Sequence, residues 1–200
     1  RATTNAGSGH ATSCFSAADL VSALFFAFLK RDDAHPNNPK NDRFILSKGH
    51  AIPLVYAAWK HRGIITDEEL MTLRKFDSVL EGHPTPRFAY NEAATGSLGQ
   101  GLAIGAGMAW NAKKDCSSGS QCTYKTYVMM GDAEIAEGSV WEAAETAALY
   151  GLDNLIGILD CNRLGQSGTS VHGHDVSMGT ICSRKACNYY CKNYQGLWLT

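Results

Sequence analysis

The chain has 200 residues, 44% of them apolar and 18% charged, enough to build one domain around a real core and too apolar for disorder. Eighteen basic residues against 19 acidic ones leave a net charge of −1, which gives no electrostatic footing for nucleic acid or for a membrane surface. No apolar run reaches the roughly 18 residues that cross a bilayer, and no secretory leader is visible. The seven cysteines are odd in number and form no disulfide framework, so a reducing, cytoplasmic setting is expected.

Taken in chain order, apolar residues at helical spacing predict a buried helix over 16–30, with Leu20, Leu24 and Phe28 on one face, Val21 and Phe25 beside it, and Ser16 placed to cap it. Pro36, Asn37, Asn38 and Pro39 mark a loop. Phe44-Ile45-Leu46 is a short buried strand, and 53–61 is a helix that tolerates Pro53 in its first turn. Thr66 followed by Glu69 is a capping box that opens another helix. The stretch 77–95 is irregular. A helix of small residues over 99–112 is suited to packing close against a sheet, and a polar loop follows over 113–121. The remaining elements are a strand over 124–130, a helix over 139–150 and a buried strand over 155–160. Strand, helix and strand in about forty residues form a βαβ unit, which implies a parallel sheet. The expected fold is therefore α/β, a doubly wound parallel sheet with helices on both faces, incomplete at its C-terminus. The domain is expected over 1–176, because 177–200 has no period and no acidic residue and holds three of the seven cysteines.

The residues that carry chemistry stand where these elements end. Asp132 follows one strand and Asn162 follows the next. In a parallel sheet the loops after the strands gather at one edge, so a carboxylate and an amide oxygen meet there. That is hard oxygen ligation, suited to Mg²⁺ or Ca²⁺ bridging the oxygens of a diphosphate. On residue type alone, both positions also fit ordinary turns after strands. The glycine-rich turn 95–101 leads into a helix, and its backbone N–H groups are candidates to hold a phosphate or the edge of a ring. It is neither a Walker A loop nor a dinucleotide fingerprint. Three histidines each follow a glycine: His10, His50 and His83. Each is either a structural imidazole or a group that binds hydroxyls and moves protons. Glu137 and Glu142 fit helix-end stabilisation and a subunit interface equally well.

Six runs, taken together and in this order, resemble the transketolases: 8–13 (SGHATS), 43–50 (RFILSKGH), 82–84 (GHP), 94–101 (ATGSLGQG), 131–143 (GDAEIAEGSVWEA) and 159–167 (LDCNRLGQS). The run 162–167 is similar to the animal-type enzymes. The resemblance implies a thiamine diphosphate-binding fold and a cofactor pair of thiamine diphosphate and Mg²⁺ or Ca²⁺. It implies transfer of a two-carbon ketol unit from a ketose phosphate, such as xylulose 5-phosphate, to an aldose phosphate, such as ribose 5-phosphate, in the pentose phosphate pathway. A homodimer of the full-length protein is implied as well. It makes Asp132, Asn162 and the backbone carbonyl of Leu164 the metal ligands. It lays Ser13, His50, Gly96, Ser97, Leu98, Gly131, Ala133 and Asn162 against the cofactor. It turns His10 and His83 toward the sugar and sets His50 near the reacting carbon. Another thiamine enzyme, such as a dihydroxyacetone or deoxyxylulose phosphate synthase, is a less similar alternative.

Two departures carry expectations of their own. The family has glycine where this chain has Ala133; a positive φ there would strain the alanine by about 1 kcal/mol, and a negative one would leave only a methyl near the diphosphate. The family's pyrimidine-binding domain, with the glutamate that activates the cofactor, is not in this sequence, and 177–200 has the look of a foreign tail. A catalytically silent form, binding cofactor weakly or pairing with a full-length subunit, is therefore the alternative to an active enzyme.

Overall fold

Three strands, β1 (Arg43–Leu46), β2 (Thr126–Gly131) and β3 (Leu155–Asp160), form one parallel sheet in the order β1-β2-β3. The computed structural model describes residues 1–116 and 124–170; the tail 177–200 and its cysteines lie outside the described residues. Leu46 stands opposite Met129, and Gly131 opposite Asp160, so the strands finish close to one another at their carboxyl ends.

Alternation along the strands divides the core in two. Phe44, Leu46, Tyr127, Met129 and Ile158 face one cluster, built with α3 (Ala18–Ala23) and α4 (Ile52–His61). Ile45, Val128, Met130, Leu155 and Leu159 face the other, built with α6 (Gln100–Cys116) and α7 (Gly138–Leu149). Helices thus cover both faces, as a buried parallel sheet requires. The first cluster is pinned by Phe25, whose ring meets Phe44 and Trp59 edge to face at 5.2 and 5.0 Å. In the second, α6 lies so close to β2 that a Cβ on Gly105 would come within 2.4 Å of Val128. The small residues of this helix do what their size predicts.

The amino-terminal helix departs from expectation. It is broken into α2 (Ala11–Ser16), α3 and a wide turn over Leu24–Phe28, closed by a bond from the Leu29 N–H to the Leu24 carbonyl at 2.8 Å. Ser16 ends α2 instead of capping α3, because its hydroxyl is drawn to the buried carboxylate of Asp160. Val21, Leu24 and Phe25 are buried, whereas Phe28 is half exposed. Elsewhere the differences are small. A short 3₁₀ turn, Gly49–Ala51, precedes α4, and α6 runs on to Cys116. The capping box at the head of α5 (Asp67–Leu70) forms as expected, with Glu69 N–H donating to Thr66 Oγ1 and Thr66 N–H to Glu69 Oε2. Among the described residues no helix is long and apolar enough to cross a membrane.

Candidate active site

The carboxyl edge of the sheet carries Asp132, directly after β2, and Asn162, two residues after β3. Asp132 is buried; its N–H donates to the Asp160 carbonyl at 3.2 Å and its Oδ2 accepts the Ser170 hydroxyl at 2.8 Å. Asn162 starts a tight turn in which its Oδ1 accepts the Leu164 N–H at 2.9 Å, while Arg163 takes φ 64°. The loop then folds back on itself, with Gly165 N–H donating to Gly168 and Ser170 N–H to Arg163. This ladder uses the carbonyls of Arg163 and Gly168 and leaves that of Leu164 out. Ser170 therefore fastens the loop after β3 to the acid after β2. The donors on offer are a carboxylate, an amide oxygen and a backbone carbonyl, an all-oxygen set that fits a hard divalent cation. Among the described residues no group of three His, Cys, Asp or Glu gathers that could hold a metal ion by itself.

The three glycine-histidine pairs come together in space. His10 stands at the head of α2 and His50 in the turn after β1, with ring centroids 5.1 Å apart and planes crossed at 67°. Burial, followed by the charges of His10, Lys48 and His83, pushes His50 down to about 4. His83 is also lowered, by burial first and then by Arg74 and His10. Gly96, at φ +150°, backs directly onto the His83 ring, where a Cβ would sit 2.9 Å from Cδ2. Gly49 lets the turn after β1 approach the Thr95 carbonyl, which a Cβ would meet at 2.8 Å. Gly49 and Gly96 thus serve contacts between loops of the protein itself.

Three buried charged residues organise this edge, and the sequence motifs assign a role to none of them. Lys48 and Asp160, both nearly inaccessible, form an ion pair, and the same Asp160 oxygen accepts the Ser16 hydroxyl. Asn162 Nδ2 in turn donates to Ser16 at 3.2 Å. Glu134, in the 3₁₀ turn Glu134–Ala136, accepts the Ser47 hydroxyl and the N–H groups of Gly99 at 2.8 Å and Gly131 at 3.1 Å. Ser47 also accepts the Gly101 N–H at 3.1 Å. The amides of Gly99 and Gly101 are thereby spent inside the protein. In the glycine-rich turn Ser97 and Leu98 are exposed and open to a ligand. The available signal was an acid closing an apolar strand, Asp160, and an acid three residues beyond one, Glu134; an acid buried at either place calls for a partner. Ser13 is half-buried in α2 and Gly131 half-buried at the end of β2. Ala133 has φ −68° and ψ −31°, so the positive-φ alternative, with its strain, does not hold: the backbone here is ordinary right-handed helical.

A parallel α/β sheet whose carboxyl edge carries an acid and an amide, with neighbouring imidazoles, defines an α/β domain of the ligand-binding class, its site lying where such sheets receive their ligands. A family profile described as "Transketolase, thiamine diphosphate binding domain" matches residues 2–185, and the chain belongs to the transketolase family. It is 49% identical over 178 residues to the human transketolase, covering 89% of this chain and 28% of that protein. It is 43% identical to one of the subunits of an apulose-4-phosphate transketolase from Phocaeicola vulgatus, covering 82% of this chain and 57% of that one. Among solved structures, transketolase from Leishmania mexicana superposes with a TM-score of 0.84 at 27% identity, covering 96% of this chain and 29% of its own. The chain thus spans little more than a quarter of the length of the animal relatives it matches.

Proposed function

We propose that this chain supplies the metal- and diphosphate-holding part of a transketolase active site. The reaction is transfer of a two-carbon ketol unit from a ketose phosphate such as xylulose 5-phosphate to an aldose phosphate such as ribose 5-phosphate, in the pentose phosphate pathway. The observation that carries the reading is the Ser170–Asp132 bond, which fastens the loop bearing Asn162 and Leu164 to the acid after β2. Asp132, Asn162 and the Leu164 carbonyl hold Mg²⁺ or Ca²⁺. Ser13, Gly96, Ser97, Leu98, Gly131 and Ala133 lie along the cofactor. Thiamine diphosphate, when bound, supplies the electron sink that carbon–carbon bond cleavage and formation need. His50, at about 4, is uncharged near pH 7, so it accepts or passes a proton without repelling a cationic ring. His10 and His83 bind the hydroxyls of the sugar. A homodimer completes the site in the full-length protein, and Glu137 and Glu142, both exposed, are free to face a partner. The free thiol of Cys14 suits a cytoplasmic setting.

Calorimetric titration of the chain with thiamine diphosphate and Mg²⁺ tests this. Binding is expected, and Asp132→Asn weakens it roughly 100-fold by removing a charged ligand; equal affinity in the variant overturns the assignment. A second reading is favoured by the Phocaeicola relative, which is named as one subunit of its enzyme. In it the chain is silent alone and works paired with another polypeptide that brings the rest of the site. Turnover of ketose and aldose phosphates by the purified chain rules that reading out, whereas activity appearing only on mixing with a full-length subunit supports it.

A further inference from the structure

We propose that Glu134 is the positioning residue of the cofactor site, setting the glycine-rich turn and the end of β2 in register with each other. The inference rests on the proposed function, since it assigns a role within that same site. Glu134 is 1% exposed, and its two oxygens face three donors from three separate segments. Oε1 takes the Ser47 hydroxyl, just beyond β1, and the Gly99 N–H of the glycine-rich turn; Oε2 takes the Gly131 N–H, the residue before Asp132. Ser47 passes the restraint on to Gly101, and Ser139 adds a bond from its hydroxyl to the Gly99 carbonyl at 3.0 Å. Gly99 leaves no room for a side chain: a Cβ there would come within 2.5 Å of Ser139 Oγ and 2.7 Å of Glu137 Cβ. The carboxylate therefore fixes the distance between Gly96–Leu98 on one side and Asp132 on the other, the two segments that would grip opposite parts of the cofactor. Only an acceptor on both atoms satisfies this arrangement. Glutamine keeps the shape but must turn its NH₂ toward a backbone N–H. The better placement leaves its oxygen on the two-donor side and sets NH₂ against Gly131 N–H, so the disturbance falls next to Asp132.

The test compares wild type, Glu134→Gln and Ser47→Ala, measuring the dissociation constant for thiamine diphosphate at saturating Mg²⁺ by calorimetry. The folded fraction at the same temperature is followed by circular dichroism. The expected result is affinity at least tenfold weaker for E134Q and about threefold weaker for S47A, with folded fractions equal to wild type. Affinity within twofold of wild type, or a loss no larger than the folded fraction accounts for, overturns the positioning role. Should E134Q not fold, the S47A result decides by the same criteria. Absence of binding by wild type overturns the functional reading and this inference with it, whereas wild-type binding with unaffected variants overturns this inference alone.

Discussion

His10 and His50 meet edge to face with ring centroids 5.1 Å apart, although forty positions separate them in the chain and each follows a glycine. The contact puts one imidazole into the shielded space beside another and beside the Lys48 ammonium. Burial and these neighbours together hold His50 at about 4.

Stability should therefore depend on pH with a definite sign. The folded value of His50 lies below its ordinary 6.5, so the unfolded chain binds the proton more readily. The contribution is fully present above pH 6.5 and is lost as the pH falls toward 4. For a half-buried ring, after allowance for solvent screening, the loss is about 2 kcal/mol. Urea unfolding at pH 7.0, 5.5 and 4.5 reads it directly. His50→Asn should flatten the slope to the smaller one left by His83, which is shifted in the same direction. An unchanged slope in that variant would remove His50 as its source.

The Lys48–Asp160 pair is buried on both sides, and breaking it leaves one charge without a partner. Lys48→Met should cost about 3–5 kcal/mol by chemical denaturation. The double variant Lys48→Met, Asp160→Leu should recover at least half of that, since it removes both charges. A single variant within 1 kcal/mol of wild type would show the pair to be solvated in solution.

Ala133 sits in right-handed helical backbone, so glycine has no strain to relieve there. Ala133→Gly should lower stability by about 0.5–1 kcal/mol through the greater freedom of the unfolded chain. A thermal midpoint above wild type would contradict the observed φ.

Gly96 combines a positive φ with a ring at its back. Gly96→Ala should cost about 2 kcal/mol in backbone strain and displace His83. The imidazole resonances of His83 should shift in the NMR spectrum, while those of His35, far along the chain and paired with Asp32, stay in place.

The sheet could be read from the chain because a buried parallel strand has little freedom of composition. Phe44-Ile45-Leu46 and 155–160 are apolar on both sides of the pleat, and an intervening helix of suitable length leaves only a parallel arrangement. The capping box at Thr66 and Glu69 was visible for a similar reason, since both bonds lie within four residues. The break at Ser16–Ala17 was hidden. Helical periodicity continues through it, and what ends α2 is a carboxylate 144 positions away.

By itself the sequence determined the order of strands and helices, their two-sided burial, and the placing of Asp132 and Asn162 just past neighbouring strands; these follow from local composition and the period of the backbone. Only the tertiary structure decided which polar groups meet: Lys48 with Asp160, Glu134 with Ser47, Gly99 and Gly131, Ser170 with Asp132, and the three imidazoles with one another. The physical reason is desolvation. A buried donor or acceptor must find a partner, but local sequence carries no record of which distant segment brings it.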